Sequence, residues 1–575
     1  MIILGINAYH ADSSAAIFRD GVLIAATEEE RFRRVKHWAG FPSMAIEFCL
    51  REAGITLHEV DHIAIGRDPW AKFSRKILFL MKNPRGGIRA IKDRMSNAKK
   101  VTSLESEFKN IDVSLDEKIL KSRIHQVEHH RSHLASAFFA SPYKESAILS
   151  IDGSGDFTTT MFAMGRENKL DVINSIDFPH SVGVFYTAFT QWLGFPHYGD
   201  EYKVMGLAPY GIPKYVQKLR DVLLFKQNGL FELNLSYFRS PREGYVSYAE
   251  NLPLVSQLFS DRLTESFGEP RGSQEPLTQY HKDMAASVQR ITEELIFHCL
   301  QFLYEKTKSE NICIAGGVAQ NSVANGKITR NTPFKNVYIP SAGHDAGISM
   351  GAGLFVYNET LQKPRVGPIF SAYTGIQYSN PEIEAYLTGK NLNYKFVVDG
   401  RIYDEVASCI LNAGVVGWFS GRAEFGPRAL GGRSILADPT RADIKEILNA
   451  KVKRRESFRP FAPSIMKEYV QDFFELEADV PFMEKVFPIK KEKQHLIPAV
   501  THVDGTGRLQ TVDRQYSPRY YSLIEAFYRK SGIPILLNTS FNENEPIVNS
   551  PQNALDCFLR TNMDLLVLEN YIVYR

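Results

Sequence analysis

Apolar runs that end in small or acidic residues recur in the first part of the chain and predict its strands. The N-terminal run IILGIN is followed by the polar loop AYHADSS and then by two apolar runs, AAIF and VLIAATEE, which Arg19-Asp20-Gly21 joins. Glycine adopts positive φ without steric cost, so this junction favours a tight hairpin turn. The pattern predicts a strand, a loop and a β-hairpin within residues 1–40.

The same pattern returns at two later places. The apolar run from Ile148 to Ile151 ends in the loop DGSGD, and the run ICIA leads to Gly316 and Gly317. Apolar strands that each end in a loop of Gly, Asp or Ser are typical of an α/β fold. Their similarity predicts a core of two related halves that close on one cleft.

A change of composition between residues 350 and 400 predicts a boundary between two domains. The segment LQKPRVGPIFSAYTG contains two prolines and two glycines, which is typical of a linker. The strand-like run VVGWF then opens a second region. We expect a first domain over residues 1–360, a linker over residues 361–375 and a second domain over residues 376–575.

Composition and charge argue against several classes of protein. The 575 residues are 44% hydrophobic and 23% charged with a net charge of +3, which is ordinary for a globular protein. This balance gives no overall reason to bind nucleic acid or an anionic membrane. The five cysteines form no C-x-x-C motif, and no apolar stretch reaches the roughly 18 residues that span a bilayer. We expect a cytoplasmic protein with no nucleic-acid or membrane partner.

Positive charge is concentrated in two segments. Residues 421–460 contain ten Lys and Arg against five Asp and Glu, and residues 72–100 contain ten against Asp93 alone. The first segment predicts a local binding site for anions. The second is interpreted as a solvated helix and loop.

The pair His129 and His133 is the strongest candidate for a metal site. Residues four apart on a helix share one face, so both imidazoles can reach one ion. Asp152 and Asp345, at loop ends, are available to complete the set, and two imidazoles with two carboxylates suit iron, manganese or zinc better than calcium. The alternative is a pair of histidines with ordinary hydrogen bonds. A metalloprotease is excluded because His130 stands where H-E-x-x-H requires Glu.

Glycine-rich loops and isolated basic residues are candidates for nucleotide or substrate contacts. Gly316 and Gly317, followed by Asn321, would let backbone amides approach a nucleotide, although a tight strand-to-helix turn explains the same glycines. Lys203, within EYKVMGLAPYG, is a candidate for the edge of a substrate site.

The second region offers a group of anion ligands. The segment GRAEFGPRALGGRS carries Arg428 and Arg433, whose guanidinium groups can bind phosphate or carboxylate through two hydrogen bonds. Residues at strand ends of α/β proteins commonly contact ligands. The further candidates are Lys453, Arg459, Arg508, Asn538 and Ser540.

Ten blocks of sequence, in one order, resemble the NodU/CmcH family of O-carbamoyltransferases. They are ATEEERFRRVKH, HHRSHLASAF, SIDGSGD, EYKVMGLAPYG, AGGVAQNSVANGKI, AGHDAGISMGAG, EFGPRALGGRSILADP, NAKVKRRESFRPFAP, HVDGTGRLQTV and ILLNTSFNENEPIV. The resemblance leaves out the basic stretch 72–100 and most of residues 213–280. It implies an α/β protein with a duplicated N-terminal domain of the actin/Hsp70 (ASKHA) fold, similar to the enzyme that threonylcarbamoylates tRNA, and a C-terminal YrdC-like α/β domain.

The resemblance also implies a reaction and its residues. ATP with Mg²⁺ and carbamoyl phosphate would form a carbamoyl-adenylate in the C-terminal domain, and the N-terminal domain would transfer the carbamoyl group to a hydroxyl of a small molecule such as a sugar. Fe²⁺ or a similar divalent ion would be held by His129, His133, Asp152 and Asp345. The contacts to ATP and carbamoyl phosphate would be Arg428, Lys453, Arg459, Arg508, Asn538 and Ser540. The contacts to the adenylate in the N-terminal domain would be Lys203, Gly316, Gly317 and Asn321.

Transfer to a hydroxyl needs a base, for which His10 is the candidate, while Lys453 and Arg428 are the catalytic candidates of the second domain. Many relatives place a histidine or glycine directly before the aspartate of this loop, whereas here Ala11 separates His10 from Asp12. The acceptor pocket is expected within residues 72–100 or 213–280.

Two other functions stay open at this point. A fused tRNA threonylcarbamoylation enzyme would share the domains, although the near-neutral charge argues against tRNA binding. A nucleotide-driven switch of the actin or Hsp70 kind would catalyse no transfer and would leave the basic C-terminal segment without a purpose. A homodimer is the expected oligomer.

Overall fold

The computed structural model describes residues 1–82, 104–475 and 478–575. The contacts between residues divide the chain into two compact units. Unit 1 contains Met1–Glu30, His37–Ala324 and Ile328–Ile369, and unit 2 contains Arg31–Lys36, Asn325–Lys327 and Phe370–Arg575. The part of the predicted basic stretch that follows residue 82 lies outside the described residues.

Unit 1 is built on two five-stranded sheets with the same topology. The first sheet has the order β3-β2-β1-β4-β5 and the second has the order β8-β7-β6-β13-β14. The strands of the first are β1 (Ile2–Asn7), β2 (Ser14–Arg19), β3 (Val22–Glu28), β4 (His62–Ile65) and β5 (Ile124–Gln126). Those of the second are β6 (Glu145–Gly155), β7 (Thr158–Arg166), β8 (Lys169–Asp177), β13 (Asn311–Ala315) and β14 (Asn336–Tyr338).

The pairing within the two sheets confirms the predicted duplication. In each sheet the first three strands form an antiparallel meander, and the next two run parallel to the first. Gly21, at the predicted turn between β2 and β3, has a φ of 83°. Two equivalent halves, each a meander extended by two parallel strands, are the duplicated α/β architecture that the sequence predicts.

The remaining elements of unit 1 are helices and two small hairpins. The hairpins are β9 (Leu223–Phe225) with β10 (Phe231–Leu233), and β11 (Val246–Ala249) with β12 (Leu252–Val255). The helices are α1 (Glu30–Arg33), which crosses into unit 2 after Glu30, α2 (Ser43–Ala53), α3 (Phe73–Lys82), α4 (Leu104–Ile111), α5 (Glu117–Arg123), α6 (His129–Phe138), α7 (Val182–Trp192), α8 (Glu201–Leu207), α9 (Val216–Leu219), α10 (Ser240–Glu243), α11 (Asp261–Phe267), α12 (Gln279–Thr307), α13 (Ser322–Asn325), α14 (Ile328–Asn331) and α15 (Ile348–Phe355). A π-helical turn, Val356–Thr360, extends α15.

Unit 2 contains one nine-stranded mixed sheet of order β15-β23-β22-β16-β17-β21-β18-β20-β19. Its strands are β15 (Asn393–Phe396), β16 (Val416–Phe419), β17 (Arg433–Ala437), β18 (Ala462–Met466), β19 (Lys485–Pro488), β20 (Thr506–Val512), β21 (Ile535–Ser540), β22 (Leu565–Leu568) and β23 (Tyr571–Tyr574). Its helices are α16 (Asn380–Leu387), α17 (Arg401–Leu411), α18 (Ile444–Leu448), α19 (Val470–Phe473), α20 (Pro518–Ser531) and α21 (Pro551–Arg560).

Both faces of this sheet are buried. Successive side chains of a strand point to opposite faces, and in β16 Phe419 belongs to one apolar cluster whereas Val416 and Trp418 belong to another. Side chains of α16, α18 and α21 complete the first cluster, and those of α17 and α20 complete the second. Unit 2 is therefore a three-layer α/β/α structure, which agrees with the predicted α/β class of the second domain.

The predicted linker, residues 361–375, contains no helix or strand, and the division between the units falls inside it, after Ile369. Among the residues that the structure describes, no helix combines the length and the apolar character needed to cross a bilayer.

Candidate functional site

The chemistry-bearing residues of unit 1 follow the carboxyl ends of its strands. The loop after β1 carries His10 and Asp12, α6 begins shortly after β5, and Asp152 lies near the end of β6. Asp345 follows β14 and begins a short turn that leads into α15. Equivalent strands of the two halves therefore place their polar residues at one site. Ligand sites in α/β folds generally lie at the carboxyl ends of the strands, as here.

Four of the predicted residues, His129, His133, Asp152 and Asp345, form a buried group that we name the His-Asp cluster. One donor atom from each residue lies within 4.8 Å of the others. Asp152 Oδ2 is 3.1 Å from His129 Nε2 and 3.8 Å from His133 Nε2. Asp345 Oδ1 is 3.7 Å from His129 Nε2 and 3.3 Å from His133 Nε2.

This geometry fits a single divalent ion. Nitrogen and oxygen ligands lie about 2.0–2.2 Å from a zinc-like ion, so ligands of one ion are separated by roughly 3–3.5 Å. Although His133 Nε2 and Asp345 Oδ1 are 3.3 Å apart, both are buried and form no hydrogen bond among the described residues. Two buried polar atoms at this separation, with no hydrogen bond between them, have the placement expected of two ligands of one metal ion.

Charge interactions within the cluster favour ionised carboxylates and a protonated His133, whose proton a metal ion would displace. Burial alone would lower the pKa of His133, but Asp152 and Asp345 raise that pKa to about 9. Burial and Asp152 oppose ionisation of Asp345, yet His10 and His133 hold its pKa below the ordinary value. The carboxylates are therefore in the ionised form that a metal ligand requires.

Neighbouring groups hold the carboxylates in place. The backbone N–H of Gly317 donates a hydrogen bond to Asp152 Oδ1 at 2.9 Å, and His10 Nδ1 lies 2.8 Å from Asp345 Oδ2. His130 is turned away from the cluster and pairs with Ser150 and with a backbone carbonyl. Such outer contacts orient metal ligands and tune their basicity.

A second pair of residues beside the cluster was missed by the sequence analysis. His37 Nδ1 lies 2.8 Å from Asp12 Oδ1, and the backbone N–H of His37 donates to Glu30 Oε2 at 2.9 Å. Burial would raise the pKa of Asp12, but His37 lowers it. His37 ends the family block ATEEERFRRVKH, whereas Asp12 lies outside the blocks, and their separation of 25 positions concealed the pair.

Unit 2 gathers Lys453 with Arg428, Arg455, Arg459 and Arg508 in what we name the cationic pocket. Lys453 ends a π-helical turn, Asn449–Lys453, that continues α18, and π-helical turns are frequent at functional sites. Its ammonium group donates to Ser540 O and Asn542 O, both at 2.7 Å, and to Asn542 Oδ1 at 2.7 Å. The predicted residues Lys453 and Ser540 thus lie in contact with each other, whereas Asn542 was not selected from the sequence, and their contacts to ATP and carbamoyl phosphate stay predictions.

The positively charged side chains of the cationic pocket lie close enough to affect one another's pKa. Burial lowers the pKa of Arg508, and Arg428, Arg455 and Arg459 lower it further. Burial also lowers the pKa of Arg428 to about 10, against the opposing effect of Glu484. Partly exposed guanidinium groups that lie close together around the buried Lys453 suit the binding of a phosphate or an acyl phosphate.

Comparisons with known proteins identify the family. The description "Carbamoyltransferase N-terminus" matches residues 2–354 and "Carbamoyltransferase C-terminus" matches residues 407–575. The chain belongs to the carbamoyltransferase family. An uncharacterised protein of Synechocystis sp. is 43% identical over 99% of this chain and 96% of its own length. The nodulation protein NolNO of Sinorhizobium fredii is 38% identical over 99% of this chain and 79% of its own length.

Likeness to solved structures is slight. The activator of the 2-hydroxyisocaproyl-CoA dehydratase from Clostridium difficile with bound ADPNP is 12% identical, with a TM-score of 0.30, over 63% of this chain and 96% of that chain. At that TM-score the likeness supports no statement about this carbamoyltransferase.

Several predicted residues of the carbamoyltransferase have structural partners of their own. Lys203 Nζ lies 2.8 Å from Asp200 Oδ1, and the Asn321 amide exchanges hydrogen bonds with Gln289 at 3.0 Å. Gly316 has a φ of 101°, and its N–H donates to a backbone carbonyl at 2.7 Å. The adenylate contacts predicted for Lys203, Gly316, Gly317 and Asn321 stay predictions.

In unit 2, Asn538 Nδ2 donates to three oxygens, including Ser464 Oγ at 3.1 Å. Arg459 Nη1 lies 3.4 Å from Glu456 Oε2. The suggestion that Arg433 binds an anion is wrong. Arg433 is fully buried, donates to Gly421 O at 2.9 Å and Ile376 O at 2.8 Å, and lies over the Phe419 ring. Its guanidinium group stabilises the loop instead of facing a ligand.

Proposed function

We propose that this carbamoyltransferase is an ATP-dependent O-carbamoyltransferase that acts on a small hydroxylated molecule such as a sugar or a natural product. Carbamoyl phosphate and ATP would give a carbamoyl-adenylate in unit 2, and unit 1 would transfer the carbamoyl group to the acceptor hydroxyl. The observation that carries the proposal is that one chain matches both the N-terminal and the C-terminal carbamoyltransferase descriptions. We propose 1–360 and 376–575 as the corresponding domains.

The cationic pocket supports adenylate formation in unit 2. ATP and carbamoyl phosphate bring many anionic oxygens together, and arginines placed around them offset the repulsion and stabilise charge that develops on the transferred group. Arg428, Arg459 and Arg508 would bind these oxygens. Lys453 would contribute its positive charge beside these oxygens, since its ammonium donates to neutral oxygens of Ser540 and Asn542 and no carboxylate among them neutralises it. Mg²⁺ would accompany ATP.

The His-Asp cluster supports group transfer in unit 1. Its four side chains would hold Fe²⁺ or a similar ion, which supplies Lewis-acid polarisation of a carbonyl or phosphoryl oxygen when bound. His10 would fix Asp345 through their 2.8 Å contact. The Gly317 amide would fix Asp152, so that the carboxylates keep one orientation while the acceptor binds.

Pyrophosphate exchange tests the first half of the reaction. We expect exchange of labelled pyrophosphate into ATP that depends on carbamoyl phosphate, and we expect Lys453→Ala to abolish it because the buried ammonium is removed. Lys467→Ala is the matched control, since Lys467 forms an exposed ion pair with Asp513 at 2.9 Å. Exchange that survives Lys453→Ala would overturn the assignment.

Mass spectrometry tests the second half. Purified protein is incubated with ATP, carbamoyl phosphate and a panel of hydroxylated metabolites, and each compound is examined for the mass of one added carbamoyl group. Consumption of ATP without a carbamoylated product from any of these compounds would argue against O-carbamoyl transfer.

A further inference from the structure

Helix α3 presents large apolar side chains on its outer side. Phe73, Ile77 and Met81 lie four positions apart and therefore share one face of the helix. They are 52%, 42% and 75% exposed, and the neighbouring Trp70 and Leu78 are 64% and 53% exposed. The rings of Trp70 and Phe73 lie 5.8 Å apart. These five residues, which we name the α3 face, are exposed side by side, and such a patch, unlike scattered apolar residues, marks an interaction surface.

The opposite side of α3 is held by the rest of unit 1. The Phe79 ring lies 5.7 Å from that of Phe157 and 5.5 Å from that of Phe178. Just before the helix, Lys72 forms an ion pair with Asp177, the last residue of β8. Because α3 packs on unit 1 through Phe79 and Lys72, the α3 face points away from unit 1.

Positive charge borders the α3 face. Residues 70–82 contain four Lys and Arg and no Asp or Glu. Lys72 and Arg75 both pair with the carboxylate of Asp177, so that two cations face one anion. The Arg75 side chain is nevertheless 60% exposed, and Lys76 donates to the backbone carbonyl of Pro69 at 2.8 Å. The border of the α3 face therefore keeps an excess of positive charge.

This charge favours a bilayer over a second copy of the chain as the partner. A twofold contact uses the same patch on both copies, so a dimer through the α3 face would bring the cations of one copy against those of the other. An anionic surface complements them instead. A helix with an apolar face bordered by Lys and Arg is typical of segments that lie at the boundary between lipid headgroups and acyl chains, and Trp is enriched at that depth.

We propose that the α3 face binds the surface of a bilayer that contains anionic lipids. The apolar side chains of the face enter the boundary between headgroups and acyl chains, and Arg75 and Lys76 lie at the level of the lipid phosphates. The net charge of +3 gave no reason to expect a membrane partner, because that total does not show how the charge is distributed. The inference goes beyond carbamoyl transfer and does not depend on it.

Sedimentation with vesicles measures the binding. The full chain is mixed with vesicles of phosphatidylcholine alone, or with about 30% phosphatidylglycerol to supply a negative surface, in low and in high salt. We expect binding to the phosphatidylglycerol vesicles in low salt and weaker binding in high salt, because salt screens the attraction. The emission of Trp70, taken as the difference between wild type and Trp70→Phe, should shift to shorter wavelength when these vesicles are added.

Variants of α3 assign the binding to the α3 face. The double variant Ile77→Gln with Met81→Gln should lower the partition onto phosphatidylglycerol vesicles by at least about tenfold, because two apolar side chains are no longer available for burial. Lys76→Gln should lower it by about fivefold, the loss of one cation near the surface. The matched control is Ile119→Gln with Leu559→Gln, since these residues are exposed on α5 and α21 and should bind as wild type does.

Three results would overturn the proposal. The first is no binding of wild type to phosphatidylglycerol vesicles, or equal binding of wild type and the Ile77→Gln, Met81→Gln variant. The second is self-association of wild type at sedimentation equilibrium that this variant abolishes, which would make a second copy the partner. The third is a clear loss of stability to urea in this variant, which would mean that the chain itself covers the face. Replacement of exposed side chains should leave the stability unchanged, and Lys76→Gln decides if the double variant does not fold.

Discussion

The His-Asp cluster and the cationic pocket both bury charge, but they compensate it in different ways. In the cluster, Asp152 and Asp345 raise the pKa of His133, so that opposite charges lie beside one another, whereas burial lowers the pKa of His129. In the pocket, Arg508 has Arg428, Arg455 and Arg459 as neighbours that lower its pKa. Burying a charge without sufficient compensation is costly. The cluster therefore supplies much of its own compensation, whereas Arg508 has like charges as neighbours, which an anionic substrate would offset under the proposed function.

The largest effect is expected in the pocket, on activity alone. Arg508→Met should lower carbamoyl-phosphate-dependent pyrophosphate exchange by about 10³-fold, the scale of a lost charge-stabilising donor. The same change should leave the free energy of unfolding unchanged or raise it by about 1 kcal/mol, because a buried like charge is removed. Exchange kinetics and urea unfolding measure the two effects. A clear loss of stability would mean that neighbouring groups of the protein already compensate the positive charge of the cationic pocket, as they do in the His-Asp cluster.

The cluster should respond to charge removal in the opposite way. Asp345→Asn should reduce bound metal to less than about a tenth and lower the free energy of unfolding by about 3 kcal/mol, because His133 and His10 lose their buried partner. Elemental analysis and denaturant unfolding measure these changes. Asp283→Asn is the control, since Asp283 is a buried carboxylate paired with Lys214 that lies outside the candidate metal ligands, and this variant should keep the metal. Equal metal content in Asp345→Asn and wild type would refute the site.

Arg433 extends the comparison within unit 2, because it is a buried arginine whose two Nη groups donate hydrogen bonds to backbone carbonyls. Arg433→Lys removes the planar fork that bonds Gly421 and Ile376 and should lower the free energy of unfolding by about 2 kcal/mol. Binding of carbamoyl phosphate, measured by calorimetry, should change less than about threefold. Arg428→Lys is expected to reverse the pattern, with weaker binding and little change in stability.

The smallest effect concerns pH and His502, near the pocket. Burial lowers the pKa of His502 from 6.5 to about 4, so between these values the unfolded chain binds more protons than the folded chain. Stability contributed by this group therefore rises as the pH rises from about 4 to 6.5, by about 1 kcal/mol after allowance for its partial exposure. Urea unfolding of wild type and His502→Gln across this range measures it. Parallel pH profiles would contradict the prediction.

Features set by neighbouring residues were predictable. The turn at Gly21, the strand that ends near Asp152 and the shared face of His129 and His133 all follow from local periodicity and backbone sterics. The repeat of strand and polar loop was enough to predict two equivalent halves. Asp345 was harder, because more than two hundred positions separate it from His133, and only loop composition and the family resemblance pointed to it.

Features that depend on contacts between residues far apart in the sequence were either not predicted or predicted wrongly. Arg433 and Arg428 stand five positions apart on one glycine-rich loop, and composition could not tell which guanidinium group faces the loop carbonyls and which faces the pocket. Asp12 and His37 carry no spacing signal, since the elements between them bring them together. The sequence does not distinguish Asn542 from other polar loop residues, and only the hydrogen bond that Lys453 donates to it sets it apart.

The sequence by itself determined the α/β class, the duplicated strands and the helical histidine pair, because these depend on steric preferences and side-chain types that act over a few residues. The tertiary structure alone decided which charges are buried together and which aspartate orients which histidine. Burial and pairing depend on segments far apart in the chain, whose packing sets the local dielectric and the direction of each side chain.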